Sequence, residues 1–175
     1  MGFVTDEIRA LIDVPGPRLT APGPLGQDDL RRFVQAVMEE NPVHWDEEAA
    51  RSSRYKGLVA PPLYVWHALR REPGSPDPFD RLAGQPDWDG LDVSGGVGGL
   101  PPIDVPLHRV LNGGTEAEFF RLPRVGDLIT AQSRYLDMAD REGRSGPMVL
   151  VTVETMYVNQ DEEPLARVLS TIIMR

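Results

Sequence analysis

The sequence contains no cysteine, and this absence excludes disulfide bonds, thiolate metal ligands and a cysteine nucleophile together. It also has no run of about 18 apolar residues, so we expect no membrane-spanning helix. The first residues, MGFVTDEIRALIDVPG, carry acidic groups early and lack a long apolar core, unlike a secretory signal. We therefore expect a cytoplasmic protein that does not enter the membrane.

Positive charge is also scarce, since 18 Lys and Arg stand against 27 Asp and Glu, for a net charge of -9. Nucleic-acid binding needs a basic surface, so this balance argues against a nucleic-acid partner. It leaves room for an anionic small molecule, which needs only a local basic patch. His44, Asp46 and Glu47 make a poor zinc site without further histidines or cysteines, and we expect no metal.

The 175 residues fit one domain comfortably. Residues 1–25 combine a short helix, capped by Thr5, with a Pro/Gly arm that we expect to run extended rather than join the centre of a sheet. Residues 26–71 have a helical pattern. Residues 72–104 are rich in Gly, Pro and Asp and indicate a long loop insertion of the kind that often carries function.

The helical stretch divides into three predicted helices. The first, QDDLRRFVQAVMEE, has an amphipathic stripe and should end at Asn41-Pro42, because the residue before proline avoids helical geometry. A short helix, DEEAARS, follows. The third, in LVAPPLYVWHALRRE, has few polar groups and should be buried on most sides, with His67 a hydrogen-bonded core histidine. The stripe of the first helix consists of Leu30, Phe33, Val34 and Val37.

Strand patterns follow from about residue 105, with β-branched and aromatic residues between turns. The predicted strands are PLHRVLNGG, TEAEFFRL, DLITAQSRYLDMAD, PMVLVTVETMYVN and EPLARVLSTIIMR. Helices followed by about five antiparallel strands predict an α+β fold, with the sheet wrapped around the apolar helix. An exposed sheet edge invites pairing with a second chain, so we expect a dimer.

The segment EENPVHWDEEAA carries the chemistry. Glu39 precedes His44 by five residues, and Asn41 and Pro42 stiffen the turn between them. A carboxylate and an imidazole that share one water are suited to adding water across a double bond, because one can accept a proton from the water while the other protonates carbon. Asp46 completes the segment.

This segment resembles the hydratase motif of the MaoC-like family, roughly Asp-x-Asn-Pro-Leu-His-x-Asp followed by alanines. The match runs through Asn41, Pro42, His44, Asp46 and Ala49. The stretch YKGLVAPPLY looks like the entry to the hot-dog helix, and RVGD, from Arg124 onward, looks like the family's Arg-x-Gly-Asp turn. The double proline and the long loop most resemble the FAS1-like dehydratase branch, usually paired with a second hot-dog unit.

The resemblance implies a hot-dog fold and activation of water by Glu39 and His44, with Glu39 where the family has aspartate. The extra methylene can misplace the carboxylate by about 1 Å, which can cost on the order of a hundredfold in rate. The family's oxyanion donor is a glycine N–H, and Pro62 stands at its place without an N–H. Losing one such donor costs about 10²–10³ in rate, unless Leu63 or a partner chain supplies it.

The expected activity is interconversion of a trans-2-enoyl thioester and an (R)-3-hydroxyacyl thioester, with acyl-CoA or an acyl-carrier thioester as substrate and no other cofactor. Arg121 and Arg124, with Arg141 or Arg144, are candidates for the coenzyme A phosphates. The alternative is a non-catalytic or half-site subunit of a heteromeric hydratase; a hot-dog thioesterase is a weaker one. Homodimer and heterodimer with a second MaoC-like chain both stay open.

Overall fold

The computed structural model of the protein describes residues 2–69, 74–75, 84, 98–107, 109–144 and 146–175. Short helices dominate the first part of the chain and long strands the last. In chain order the elements are α1 (Asp6–Arg9), β1 (Arg18–Thr20), α2 (Gln27–Ala36), a 3₁₀ turn (Pro42–His44), α3 (Glu47–Ser52), α4 (Tyr64–Ala68), β2 (Val110–Phe119), β3 (Thr130–Gly143), β4 (Gly146–Val158) and β5 (Pro164–Met174). This is the predicted α+β arrangement.

The strands form one antiparallel sheet in the order β1-β3-β4-β5-β2. The two strands predicted in PLHRVLNGG and TEAEFFRL are a single strand, β2, whose register shifts between Asn112 and Gly114. The fifth strand of the sheet is β1, which lies in the Pro/Gly arm. It is only three residues long and lies at the edge of the sheet, where neighbouring prolines are tolerated because no partner needs their missing N–H.

The predicted alternation in β4 is present. Val149, Val151, Val153 and Tyr157 are buried, and the residues between them are mostly half-buried, as expected for a sheet with one covered face. Glu154 is the exception, because it points to the other face and is only 6% exposed.

The inner face of the sheet carries two hydrophobic clusters. One packs α2 and α4 against the ends of β3, β4 and β5. The other, which includes Val149, Val151 and Val153, packs α1 and the segment from Leu100 against the opposite part of the sheet. Thr5 caps α1 by accepting a hydrogen bond from the Ile8 N–H at 3.3 Å, as predicted.

Two helix predictions need correction. Helix α2 ends at Ala36 rather than at Asn41-Pro42. Helix α4 is five residues long and is not buried on most sides: Tyr64, Val65 and Ala68 are buried, whereas His67 is exposed. His67 lies against the rings of Phe33 and Tyr64 rather than within the core. The predicted loop at 72–104 lies mostly outside the described residues.

Within the described residues, no helix is long and apolar enough to cross a membrane.

Candidate active site

The turn that follows α2 positions the candidate catalytic residues. Met38 takes a left-handed conformation with φ 54°, so the chain reverses. The Met38 N–H donates to the Gln35 carbonyl at 3.3 Å, and the Glu39 N–H donates to the Val34 carbonyl at 3.0 Å. These two bonds form a Schellman motif that satisfies the last carbonyls of the helix. The two hydrogen bonds thereby fix the position of Glu39 at the end of α2.

Asn41 organises the next turn from its own side chain. Its Oδ1 accepts a hydrogen bond from the Val43 N–H at 3.3 Å, and its carbonyl accepts from the His44 N–H at 3.2 Å. The Glu39 Oε1 accepts from the Asn41 N–H at 2.9 Å. Local bonds of this kind, with Pro42 fixing φ, hold a turn without tertiary support. The predicted pre-organised turn is therefore present.

His44 ends this turn and is 5% exposed. Its Nδ1 lies 2.7 Å from the Val59 carbonyl oxygen. A carbonyl oxygen can only accept, so Nδ1 carries the proton and donates. In the neutral ring, Nε2 then keeps its lone pair and can accept a proton from another molecule. The bond to Val59 thus fixes both the ring orientation and the tautomer.

His44 borders a groove of about 450 Å³ between α2 and the turn. Trp45, which is 52% exposed, lies at this groove. The lining residues are Gly26, Gln27, Asp28, Leu30, Arg31, His44, Trp45 and Leu58. A largely buried imidazole beside an open groove has the access to a small molecule that a proton-transfer group requires.

Glu39 and His44 lie on the same turn, but no hydrogen bond joins their side chains within the described part of the chain. The Glu39 carboxylate bonds to the Asn41 N–H, and the imidazole bonds to Val59. Glu39 is half-buried. One carboxylate oxygen accepts the Asn41 bond, so the other can contact water.

Asp46 acts as a helix cap. Its Oδ1 accepts hydrogen bonds from the Glu48 and Ala49 N–H groups, both at 2.9 Å, at the start of α3. An aspartate here satisfies donors that have no partner within the helix. Its supporting role is therefore to fix α3 directly after the His44 turn.

The double proline precedes α4. Pro61 is buried and Pro62 half-buried, while Leu63 is 49% exposed. The Pro61 carbonyl accepts a hydrogen bond from the Tyr64 N–H at 3.0 Å, which begins the helix. Pro62 offers no N–H, so Leu63 is the first residue after it with a backbone donor.

Arg121 and Arg124 border a second groove of about 600 Å³. Arg121 forms an ion pair with Glu163. Arg124 donates from Nη2 to the Tyr55 carbonyl at 2.7 Å. The groove also contains Arg54 and Tyr55, which we did not predict from the sequence. The segment SSRYKG, residues 52–57, could have indicated them, because it combines two cations with an aromatic ring. The lining residues are Arg54, Tyr55, Val59, Pro62, Phe119, Phe120, Arg121, Leu122 and Arg124.

The other candidate arginines, Arg141 and Arg144, are elsewhere. They lie at the β3–β4 hairpin, whereas Arg124 precedes the start of β3. The 14-residue strand separates the two ends by roughly 45 Å, at about 3.4 Å per residue. Arg141 and Arg144 therefore do not share the groove.

The Arg-x-Gly-Asp segment forms a closed turn. The Arg124 N–H donates to the Asp127 carboxylate at 2.7 Å, and the Asp127 N–H donates to the Arg124 carbonyl at 3.0 Å. Gly126 between them has φ 97°, a conformation that favours glycine. Arg124 also pairs with Val59 in an antiparallel bridge. The turn therefore contacts the segment that holds His44.

An antiparallel sheet that packs a short helix on one face, with a motif histidine beside it, defines the class of MaoC-like hot-dog proteins. Residues 20–168 match the family described as "FAS1-like, dehydratase domain region". The chain belongs to this family.

Two relatives illustrate the range of similarity. A UPF0336 protein of Streptomyces avermitilis is 30% identical over 114 residues, which cover 65% of this chain and 62% of that protein. The 3-oxo-4,17-pregnadiene-20-carboxyl-CoA hydratase alpha subunit of Mycobacterium tuberculosis is 40% identical over 97 residues, covering 54% of this chain and 22% of that protein. The chain thus aligns with only part of each relative.

Solved structures support the fold. The ChsH1-ChsH2 complex of Mycobacterium tuberculosis contains a chain with a TM-score of 0.66 and 22% identity, with 91% of this chain and 83% of that chain covered. A MaoC-like dehydratase of Rhodospirillum rubrum gives a TM-score of 0.56 and 22% identity, with 91% and 90% covered. The predicted hot-dog fold is confirmed.

Proposed function

We propose that the protein interconverts a trans-2-enoyl thioester and an (R)-3-hydroxyacyl thioester in the cytoplasm, with His44 as the proton acceptor. The observation that carries the proposal is the hydrogen bond from His44 Nδ1 to the Val59 carbonyl, at 2.7 Å. Among the residues that the structure describes, only Nδ1 is engaged, so the Nε2 lone pair can accept a proton beside an open groove. The M. tuberculosis relative named as a hydratase subunit supports the same reaction class.

In the hydration direction, His44 Nε2 accepts a proton from a water that also contacts the Glu39 carboxylate. The water oxygen forms a bond to C3 of the enoyl group, and the π electrons move toward the thioester carbonyl to give an enolate. His44 then passes the proton to C2, and the thioester carbonyl re-forms. One water is consumed, and dehydration follows the same path in reverse.

The developing enolate oxygen needs a hydrogen-bond donor. Pro62 cannot supply it. We propose the Leu63 N–H, which follows directly in the sequence and precedes α4, where the first N–H groups have no partner within the helix. In the half-site alternative, a second chain supplies this donor instead.

The test is the hydration of short and long 2-enoyl-CoA substrates by the purified chain and by His44→Ala. We expect the variant to lose about 10²–10⁴ in kcat, the usual contribution of a positioned proton-transfer group. His67→Ala is the matched control, since His67 is exposed and lies outside the His44 groove. Near-full activity in His44→Ala would exclude the assignment.

A second candidate is a half-site subunit that supports a catalytic MaoC-like chain. The observations that favour it are the engagement of Glu39 by the Asn41 N–H and the missing donor at Pro62. Strand β2 lies at the sheet edge with nine of its ten residues exposed, and an open edge of this kind can pair with another chain.

Light scattering and activity measurements separate the two candidates. A half-site subunit would be inactive alone and would gain activity with a MaoC-like chain that carries an Asp-x-Asn-Pro-x-His motif. A stable homodimer that hydrates substrate without a partner would reject the half-site function.

A further inference from the structure

The outer face of the sheet, which carries Glu154, points away from the two hydrophobic clusters and the helices that pack there. Side chains alternate between the two faces along each strand, so the strand pairing identifies every residue on the outer face. Near the β3–β4 hairpin, one row of paired residues crosses four strands and is entirely apolar. This apolar row consists of Ala139, Leu150, Ile173 and Leu111.

The sequences of β4 and β5 change character where they contribute to the apolar row. Residues 148–151 and 172–174 are continuous apolar runs, rather than the alternation expected of a strand that is covered on one face. Continuous runs are typical of strands buried on both faces. In the single chain, however, Leu150 and Ile173 are only half-buried and Leu111 is 41% exposed. The outer face therefore has the composition of a covered surface at this end of the sheet.

Opposite charges flank the apolar row. On β3, Asp137 lies two residues to one side of the row and Arg141 two residues to the other, both on the outer face. Both are exposed, and neither forms an ion pair within the part of the chain that the structure describes. Arg109, which exchanges main-chain hydrogen bonds with Arg175 at 2.9 Å, lies on the Arg141 side. Glu116 lies on the Asp137 side.

This charge pattern makes the face complementary to itself about a two-fold axis that runs along the apolar row. The rotation lays the row on its own copy and reverses the strand direction, so that Arg141 faces Asp137 of the partner subunit, and the reverse. An axis parallel to the strands would instead bring Arg141 opposite Arg109 of the partner subunit, where like charges repel. Sheets packed face to face lie about 10 Å apart, and a long arginine side chain reaches across such a gap.

We propose that the outer face of the sheet binds a second copy of this chain, with the apolar row at the centre and two Asp137–Arg141 ion pairs beside it. Removal of the apolar row from water drives the association, and the ion pairs select its orientation. The His44 groove lies beside α2, which packs on the inner face, so assembly leaves it open. The inference does not depend on the proposed reaction.

The test is sedimentation equilibrium over a range of protein concentrations, with charge-reversal variants. We expect Arg141→Asp to weaken self-association about tenfold or more, because carboxylates then face each other across the interface. Asp137→Arg should act in the same way. The double variant Asp137→Arg/Arg141→Asp exchanges the two charges and should restore the wild-type dissociation constant, which a purely structural role of either residue would not do. Added salt should weaken the wild-type assembly.

Arg32→Asp is the matched control, because Arg32 is exposed on α2, on the other side of the sheet. If the edge of β2 also pairs chains, Arg141→Asp should convert assemblies of four chains to two; otherwise it should convert two to one. A wild type that sediments as a single chain would overturn the inference. So would an Arg141→Asp variant that assembles as the wild type does, equal weakening in Arg32→Asp, or a double variant that is not restored.

The absence of cysteine allows a second measurement, since one introduced cysteine has no competitor. Leu111→Cys lies on the expected axis and should be cross-linked to its own copy by a short bismaleimide. Glu118→Cys, on the same strand but far from the axis, should not be cross-linked. Equal cross-linking of the two variants would exclude the proposed axis.

Discussion

Two buried ionisable groups lie in different regions of the molecule and differ in how many of their polar atoms have partners. His44, in the turn after α2, has one ring nitrogen bonded to a main-chain carbonyl. Glu154, on the outer face of the sheet, has both oxygens bonded: Oε2 to Arg134 at 2.6 Å and Oε1 to Arg167 at 2.5 Å.

The difference separates a candidate catalytic group from a structural one. Burial of a charge is costly unless it is paired, and Glu154 meets that condition within the sheet. Burial raises the pKa of Glu154, but the hydrogen bonds from Arg167 and Arg134 outweigh it and hold this pKa below its ordinary value. His44 instead has an acceptor, Nε2, to which no residue in the described part of the chain bonds, and it lies beside a groove, as a group that exchanges protons with a ligand should.

The largest effect we predict here is on catalysis in Glu39→Gln. The Gln oxygen can still accept the Asn41 N–H bond, so the turn should persist while the negative charge is lost. We expect kcat to fall about 100-fold, within the usual range for a proton-transfer partner, with an unchanged melting temperature. A parallel loss of stability would instead indicate that Glu39 only supports the turn.

The next effect is on stability in Glu154→Gln. Breaking a buried pair costs about 3–5 kcal/mol, and we expect about 2 kcal/mol because both arginines are partly exposed and solvent screens them. Hydration activity per folded molecule should be unchanged. Urea denaturation at pH 7 measures the difference, with Glu116→Gln on the exposed strand β2 as control. Loss of activity without loss of stability would contradict the structural role assigned to Glu154 and its contrast with His44.

We also predict that the stability difference between the wild type and Glu154→Gln depends on pH. Because the folded-state pKa of Glu154 is lowered, ionised Glu154 stabilises the protein above its unfolded pKa, and this contribution is lost as the pH falls through the folded pKa. The stability difference between wild type and Glu154→Gln should therefore shrink below pH 4.5, the ordinary value for this group. A difference that grew on acidification would contradict the assigned pairing.

The smallest effect is predicted for Asp46→Ala. Loss of the cap on α3 should cost about 1 kcal/mol of unfolding free energy, while Asp46→Asn should retain most of it. Thermal unfolding of the two variants measures this. If Asp46→Asn lowers kcat while its unfolding free energy stays close to that of the wild type, Asp46 belongs to the catalytic machinery rather than to the helix cap.

Local patterns predicted the local structure well. The Thr5 cap, the burial of Leu30 and Val34 on α2 and the alternation of β4 each depend on neighbouring residues, and each is present. Val37, predicted in the same stripe, lies past the end of α2 and is 48% exposed. The turn between Glu39 and His44 could also be predicted, because the Asn41 side chain bonds to the nearby Val43 N–H and Pro42 restricts its own backbone. The end of α2 could not be predicted, because the residue in the left-handed conformation there is Met38 and not the glycine that usually marks such a position.

The sequence by itself determined the fold family, the strand-rich C-terminal part and the residue types of the candidate active site. Only the tertiary structure decided that β1 joins the sheet edge, that Val59 orients His44 and that Arg54 lies with Arg121 and Arg124. Each of these joins segments 15 or more residues apart. Caps, turns and alternation result from interactions between near neighbours, whereas the contacts that assemble a site depend on how the whole chain packs, which no short stretch of sequence specifies.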